Sequence, residues 1–232
     1  MATVLLLRHG RTASNAAGSL AGRTPTELDE VGLTQAKAVG ERLAGIPLAA
    51  VVSSPLTRCL QTLSLALPAV APTIEPDFIE CGYGDWEGQP LKTLAKDPLW
   101  RVVQQHPSAV TFPGGESMAG MAARAVAAVR HHDQRVARDH GDTALWLACT
   151  HGDLIKAIVA DALGLHLDQF QRIVADPASV TVIRYTLARP FVVRLNDSGG
   201  ALGSLVAAPR ARRRRRPASS SDAPVGGGAG RV

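Results

Sequence analysis

The stretch LLLRHGRTASN, residues 5–15, indicates both the fold class of this chain and the location of a functional site. An apolar run of strand length, residues 3–7, ends abruptly on Arg8, His9 and Gly10. Such a short apolar run next to a glycine is typical of a buried strand. Ligands of an open α/β sheet bind outside the carboxyl ends of its strands. Ionisable side chains at this point therefore indicate a functional site.

The rest of the chain alternates between strand patterns and helix patterns. This alternation predicts an α/β fold, a three-layer α/β/α sandwich around a mostly parallel central sheet. We expect the last two strands to place an antiparallel strand at one edge of the sheet. The predicted strands are 3–7, 49–52, 143–149, 181–185 and 191–194, and the predicted helices are 34–43 (with Thr34 as N-cap), 56–67, 116–140 and 154–163.

The length of 232 residues is typical of one globular domain, which we place at residues 1–199. Residues 200–232 are rich in Arg, Ala, Gly, Ser and Pro, and a segment of this composition is predicted to be disordered. Residues 201–232 carry seven arginines and one acid, so the net charge of +5 comes from the tail and the domain is nearly neutral. We expect the tail to attract polyanions weakly, with no specific nucleic-acid partner.

The cysteines and the apolar pattern predict a cytoplasmic protein. Cys59, Cys81 and Cys149 are scattered and form no CxxC pair, which argues against a disulfide framework and against a zinc site. The chain has no run of about 18 apolar residues and no secretory signal, so no membrane association is expected. A homodimer is compatible with the sequence.

Three predicted strands end in polar residues, and the carboxyl ends of parallel strands meet at one edge of a sheet. Arg8 and His9 follow the first predicted strand, and Arg58 follows the second. His151 follows the third, at residues 143–149. Guanidinium groups bind phosphoryl oxygens in a bidentate manner. We therefore expect a phosphoryl site in which His9 is the nucleophile. Gly10 is expected to let the backbone approach the ligand closely.

These motifs resemble, in order and spacing, those of the histidine phosphatase superfamily, in its phosphoglycerate-mutase-like branch. The resemblance spans residues 4–195. The matching segments are Leu7-Arg8-His9-Gly10, Asn15, Ser53-Ser54-Pro55-Leu56-Thr57-Arg58, Glu80 within residues 79–88, Phe112-Pro113-Gly114-Gly115-Glu116-Ser117 and Thr150-His151-Gly152.

The resemblance implies a mechanism without metal or cofactor on a small phosphorylated substrate. His9 attacks phosphorus and forms a phosphohistidine, and Glu80 protonates the leaving oxygen and then activates water. Glu87 lies nearby, but the register of the family selects Glu80. The resemblance also assigns the residues that bind the phosphoryl group, which are Arg8, Gly10, Asn15, Gly22, Arg58, His151 and Gly152. Asp153 is expected to cap the helix that follows it.

Three functions remain open from the sequence: a phosphatase, a phosphoglycerate-mutase-type phosphomutase, and a non-catalytic binding protein that acts through its basic tail. The intact set of site residues argues against the third. The resembling mutases carry a threonine where this chain has Ala21, and many carry an acid where it has Arg11. Residues 88–116 offer no clear counterpart of their lid with paired arginines. These departures favour hydrolysis.

Overall fold

The first strand lies at the centre of a six-stranded sheet, as its buried sequence requires. The computed structural model describes residues 1–199, so the tail that we predict to be disordered lies outside the described residues. All residues of this strand except the first are buried. The strands are β1 (Thr3–Arg8), β2 (Leu48–Ser53), β3 (Thr73–Ile74), β4 (Leu145–Thr150), β5 (Val180–Arg184) and β6 (Phe191–Asp197).

The sheet is mixed and mostly parallel, which confirms the predicted fold class. Its strand order is β3-β2-β4-β1-β5-β6. The first four strands in this order run parallel, whereas β5 is antiparallel to β1 and β6 is antiparallel to β5. The antiparallel pairing thus lies at the predicted edge, where β5 is the reversed strand and β6 forms the edge itself.

Helices cover both faces of the sheet within the described residues. Four short 3₁₀ segments occur in the connections, at Pro76–Phe78, Gly84–Trp86, Pro107–Ala109 and Leu167–Arg172. The α-helices are α1 (Ala13–Ala17), α2 (Glu30–Leu43), α3 (Thr57–Ala66), α4 (Leu91–Leu94), α5 (Pro98–Gln105), α6 (Met118–His140) and α7 (Gly152–Ala162).

The four predicted helices all begin at other residues than predicted: the difference is one residue for α3, two for α6 and α7, and four for α2. For α2 and α6 the cause is the position of the cap. Helix α2 begins four residues before Thr34, since the side chain of Asp29 accepts a hydrogen bond from the backbone N–H of Gly32. Helix α6 begins after Ser117, whose side chain accepts from the N–H of Gly120. Short polar side chains are favoured at this position because they satisfy N–H groups that lack a partner in the helix.

The alternation of side chains along β1 divides the core into two layers. Leu5 and Leu7 pack with α2 and α3 on one face, and Val4 and Leu6 pack with α6 and α7 on the other. Successive strand residues point to opposite faces, so a continuous apolar run is what a strand covered on both sides requires.

The register of the parallel strands aligns the predicted site residues. Arg8 lies opposite Thr150 in the pairing of β1 with β4, and Ser53 lies opposite Cys149 in the pairing of β2 with β4. The three strands therefore end at the same level. The residues that follow them, among them His9 and His151, meet at one edge of the sheet.

Candidate active site

His9 follows β1 directly and presents a neutral ring. Its Nδ1 lies 2.7 Å from the carbonyl oxygen of Gly10, and this contact requires a hydrogen on Nδ1. Its Nε2 therefore carries a lone pair, and it accepts a hydrogen bond of 3.2 Å from Nε of Arg58. Burial lowers the pKa of His9 well below its ordinary value, and the charges of Arg58 and Arg8 lower it further. The ring is thus neutral, with a lone pair on Nε2.

His151 lies beside His9, with ring centroids 5.2 Å apart. Its Nδ1 is 3.3 Å from Nε of Arg58, and its Nε2 is 2.7 Å from the hydroxyl oxygen of Ser54. Burial and the neighbouring arginine lower the pKa of His151 well below its ordinary value. Because arginine can only donate, Nδ1 of His151 accepts from Nε of Arg58, and the hydrogen of the neutral ring lies on Nε2, which donates to the hydroxyl oxygen of Ser54.

Arg58 lies in the first turn of α3 and is buried. Its Nη2 donates to the carbonyl oxygen of Gly22 at 2.7 Å, and its Nη1 lies 3.3 Å from the carbonyl oxygen of Thr24 and the hydroxyl oxygen of Thr26. A cation is disfavoured near the positive end of a helix. The oxygens of the loop that contains Gly22 offset this cost and hold the guanidinium group against both histidine rings.

Arg8, the last residue of β1, is the second buried guanidinium group of the site. Its Nη1 donates to the carbonyl oxygen of Ala175 at 2.7 Å. Burial lowers the pKa of Arg8, and the charges of Glu80, Asp153 and Asp176 oppose this effect. Arginine remains charged at any physiological pH. Two buried cations therefore lie close to His9.

Glu80 lies in the loop after β3, and its side chain is almost fully buried. Burial is the main cause that raises the pKa of Glu80 to about 7, and the charge of Asp153 is the next. The charges of Arg58 and Arg8 act in the opposite direction, as does a hydrogen bond of 2.9 Å from the N–H of Cys81. A carboxyl group with this pKa can both donate and accept a proton near neutral pH.

The loop of Glu80 is fixed by three charged side chains, of which Arg23 and Arg124 were not singled out in the sequence. The carbonyl oxygen of Glu80 accepts from Nε of Arg23 at 3.1 Å and from Nη2 of Arg124 at 3.2 Å. Both arginines also bind Glu116, the acid of the Phe112–Ser117 motif. That motif thus holds the backbone of the acid, and Glu116 itself precedes α6 and does not belong to it.

Two predicted glycines lie where a Cβ would meet a neighbouring segment. The N–H of Gly10 donates to the hydroxyl of Thr62 at 2.9 Å, and a Cβ at Gly10 would lie 2.7 Å from the carbonyl oxygen of Gly32. Gly10 thus packs closely against α2, and its expected approach to the ligand stays a prediction. Gly22 has a φ of 54°, and its carbonyl holds Arg58.

The remaining predicted residues lie at the same edge in different roles. Asn15 closes the first turn of α1, where its Oδ1 accepts from the N–H of Thr12 at 3.1 Å. Its Nδ2 remains as a donor. Gly152 opens α7 directly after His151, so the positive end of that helix faces the carboxyl end of β4.

Asp153 does not cap α7, and that expectation is wrong. Its side chain is fully buried. Its Oδ2 accepts from the hydroxyl of Tyr83 at 2.8 Å, and its Oδ1 lies 3.4 Å from Nζ of Lys156. The sequence offered no sign of this, because an acid in the first turn of a helix is a common surface residue.

Among residues 1–199, no three His, Cys, Asp or Glu side chains are grouped so that they could hold a metal ion.

The helices of the same residues include none with the length and apolar character needed to cross a bilayer. The ionisable groups of the candidate site described above are two arginines, two histidines and one glutamate, which come together from separate parts of the chain.

Comparison with known proteins agrees with this geometry. The sequence profile of the histidine phosphatase superfamily (branch 1) matches residues 4–198. The chain belongs to this superfamily. A phosphoserine phosphatase 1 of Hydrogenobacter thermophilus is 30% identical over 200 residues, which cover 84% of this chain and 92% of the relative. Other relatives bear the name phosphoglycerate mutase.

Relatives also differ from the chain in length. A bifunctional protein of Mycobacterium tuberculosis is 33% identical over 205 residues, which cover 86% of this chain. The chain spans about half, 54%, of that relative. Among solved structures, a mycobacterial glucosyl-3-phosphoglycerate phosphatase superimposes with a TM-score of 0.73 at 27% identity, covering 84% of this chain and 98% of the other.

Proposed function

We propose that this chain is a metal-independent phosphatase that hydrolyses a small phosphorylated metabolite through a phosphohistidine on His9. The observation that carries the proposal is the state of the His9 ring. Its Nδ1–H is bound by the carbonyl oxygen of Gly10, and its unprotonated Nε2 lies beside Arg58. A neutral imidazole held in this tautomer is the form that can attack phosphorus.

In the first step, the lone pair on Nε2 of His9 forms a bond to phosphorus, and the bond from phosphorus to the ester oxygen breaks. Glu80 gives its proton to the departing oxygen, so the alcohol leaves as a neutral molecule. A pKa of about 7 supports this role, because a large fraction of Glu80 is protonated at neutral pH. A positioned acid typically contributes about 10²–10⁴-fold to such a rate.

In the second step, water attacks the phosphohistidine. Glu80, now ionised, accepts the proton of the water molecule, the bond from phosphorus to Nε2 breaks, and inorganic phosphate leaves. The enzyme returns to its starting state, with Glu80 protonated and His9 neutral. One carboxyl group acts as acid and then as base, which a pKa close to the working pH permits.

Arg8, Arg58 and His151 would hold the oxygens of the transferring group. Fixed cations and hydrogen-bond donors in a buried site stabilise the charge that develops on those oxygens. In many phosphoryl-transfer enzymes a bound Mg²⁺ serves this purpose. The two buried guanidinium groups support a mechanism in which the protein itself supplies the positive charge.

Hydrolysis is favoured over transfer to a second substrate oxygen by the sequence around the site. Ala21 lacks the hydroxyl that the resembling mutases carry, and Arg11 stands where many of them have an acid. The guanidinium group of Arg11 is held by Asp29 at 2.8 Å.

The test is a phosphate-release screen over phosphomonoesters, with products identified by mass spectrometry. The panel starts from the substrates that the relatives' names give, phosphoserine and glucosyl-3-phosphoglycerate, and includes 3-phosphoglycerate. We expect inorganic phosphate to appear as fast as substrate disappears, and we expect no release by His9→Ala. An isomeric phosphoester formed without phosphate would establish a mutase instead. Phosphate release that persists in His9→Ala would exclude the proposed nucleophile.

A further inference from the structure

A buried ion pair lies beneath the candidate site and takes no part in the steps described so far. Asp153 and Lys156 occupy the first two turns of α7, and neither is exposed to solvent. Nζ of Lys156 also lies 2.5 Å from Oε1 of Gln171 and 4.5 Å from the centre of the Phe170 ring. Burying two charges costs several kcal/mol before their attraction is counted. Stability alone therefore does not explain why Asp153 and Lys156 are buried as a pair.

The ion pair connects the two segments that carry the acid and the second histidine. Asp153 follows His151 by two residues, and Tyr83 follows Glu80 by three. The hydrogen bond of 2.8 Å from the Tyr83 hydroxyl to Asp153 joins these segments directly. The ring of Tyr83 packs edge-on against the ring of Phe112, with ring centroids 5.0 Å apart, and this packing fixes the direction of the Tyr83 hydroxyl.

Most of the charges that face Glu80 are positive and favour its ionised form. Asp153 has the opposite sign, and its charge raises the pKa of Glu80 against the effect of Arg58 and Arg8. The charged and titratable groups around Glu80 are Arg8 from β1, Arg23 from the loop before α2, Arg58 from α3, Cys81 and Tyr83 from its own loop, Arg124 from α6, Asp153 and Lys156 from α7, Glu116 before α6, and the histidines His9 and His151.

We propose that Asp153 is a positioning residue for Glu80: through its hydrogen bond with Tyr83 it fixes the loop of the acid against the helix that follows His151, and it brings a buried carboxylate to that loop. This inference rests on the proposed function, since it assigns to Glu80 the role of general acid. Lys156 holds the side chain of Asp153 in place, and Gln171 holds Lys156. Within the pair, the carboxylate of Asp153 is the group that contacts the loop of Glu80 through Tyr83.

The test is the pH dependence of phosphohistidine formation in Asp153→Asn, measured by rapid quench on the full chain. Glycerol 2-phosphate serves as an alkyl ester that needs the acid, and p-nitrophenyl phosphate serves as an ester that needs it little. Removing the negative charge makes ionisation of Glu80 easier. The alkaline limb for glycerol 2-phosphate should therefore move to lower pH by roughly 0.5–1 unit. The rate with p-nitrophenyl phosphate should change by less than about twofold.

A double variant guards against misfolding, because Asp153→Asn leaves Lys156 buried without its carboxylate. Asp153→Asn combined with Lys156→Met replaces the pair by neutral side chains of similar size. Its alkaline limb should move in the same direction by a smaller amount, because the positive charge of Lys156, which is also lost, favours the ionised form of Glu80. Tyr83→Phe keeps the charge and removes the hydroxyl. It should slow the alkyl ester several-fold and leave the position of the limb nearly unchanged.

Two results would overturn the inference. One is an alkaline limb that stays in place in both Asp153 variants, and the other is a loss of rate that is equal for the two esters. Failure of the proposed function looks different, because it would appear as the absence of phosphohistidine in the unaltered chain. The inference then falls together with the assignment of Glu80.

Discussion

Replacing Glu80 by Gln should make the protein more stable relative to the unaltered chain as the pH rises. The pKa of Glu80 lies at about 7 in the folded protein, against an ordinary value of 4.5. Each pH unit between these values is worth about 1.4 kcal/mol. The difference therefore amounts to about 3 kcal/mol of unfolding free energy that the unaltered chain loses when Glu80 ionises.

The sign of this pH dependence follows because the folded protein binds the proton of Glu80 more tightly than the unfolded chain does. Between pH 4.5 and 7 the folded protein holds the proton on Glu80, whereas the unfolded chain has released it. The stability contribution of Glu80 is complete below pH 4.5 and is lost as the pH rises through 7. Gln has no proton to lose, so its variant escapes this loss.

The assay is denaturant unfolding of both proteins at pH values from 4 to 8, from which the difference in unfolding free energy is taken at each pH. Other titrating groups are common to the two chains and cancel in the difference. Asp85→Asn is the matched control, because Asp85 lies exposed in the same loop. Its difference from the unaltered chain should be flat. A flat difference for Glu80→Gln, or one of opposite slope, would refute a protonated acid at this position.

Three further predictions concern the partner of His151, the packing of Gly10 and the independence of the reaction from metal ions. Ser54→Ala removes the hydrogen-bond partner of His151 and should lower kcat about tenfold, whereas Ser54→Thr, which keeps a hydroxyl, should retain most of the activity. Gly10→Ala places a Cβ 2.7 Å from the carbonyl oxygen of Gly32 and should lower the unfolding free energy by about 1–3 kcal/mol, as measured by denaturant unfolding. EDTA should leave turnover unchanged, and a loss restored by Mg²⁺ or Zn²⁺ would refute the metal-independent mechanism.

The sequence was sufficient to predict which strands end at the site, because the pattern of apolar runs followed by polar residues reflects a rule of parallel sheets. Arg8, His9, Arg58 and His151 meet as that rule requires. The start of α2 was predicted less well. Thr34 and Asp29 are both good caps by residue type, and only the approach of the chain from the preceding loop decides between them.

Roles that depend on distance could not be predicted from the sequence. Burial and Asp153 raise the pKa of Glu80 while two arginines lower it, so even the direction of the shift requires the geometry. The same holds for Asp153, which has the residue type of a helix cap and the location of a core residue. The close packing of Gly10 against the backbone of α2 likewise could not be predicted, because Gly32 is 22 residues away in the sequence.

If His9 carries the phosphoryl group during turnover, that group can be trapped on the enzyme and mapped to His9. The full chain is mixed with substrate labelled in its phosphoryl group and quenched under alkaline denaturing conditions, because phosphohistidine is labile in acid. Peptide mapping should place the label on His9, and His9→Ala should carry none. Label on any other residue, or steady-state phosphate release with no labelled enzyme at any time, would contradict the account.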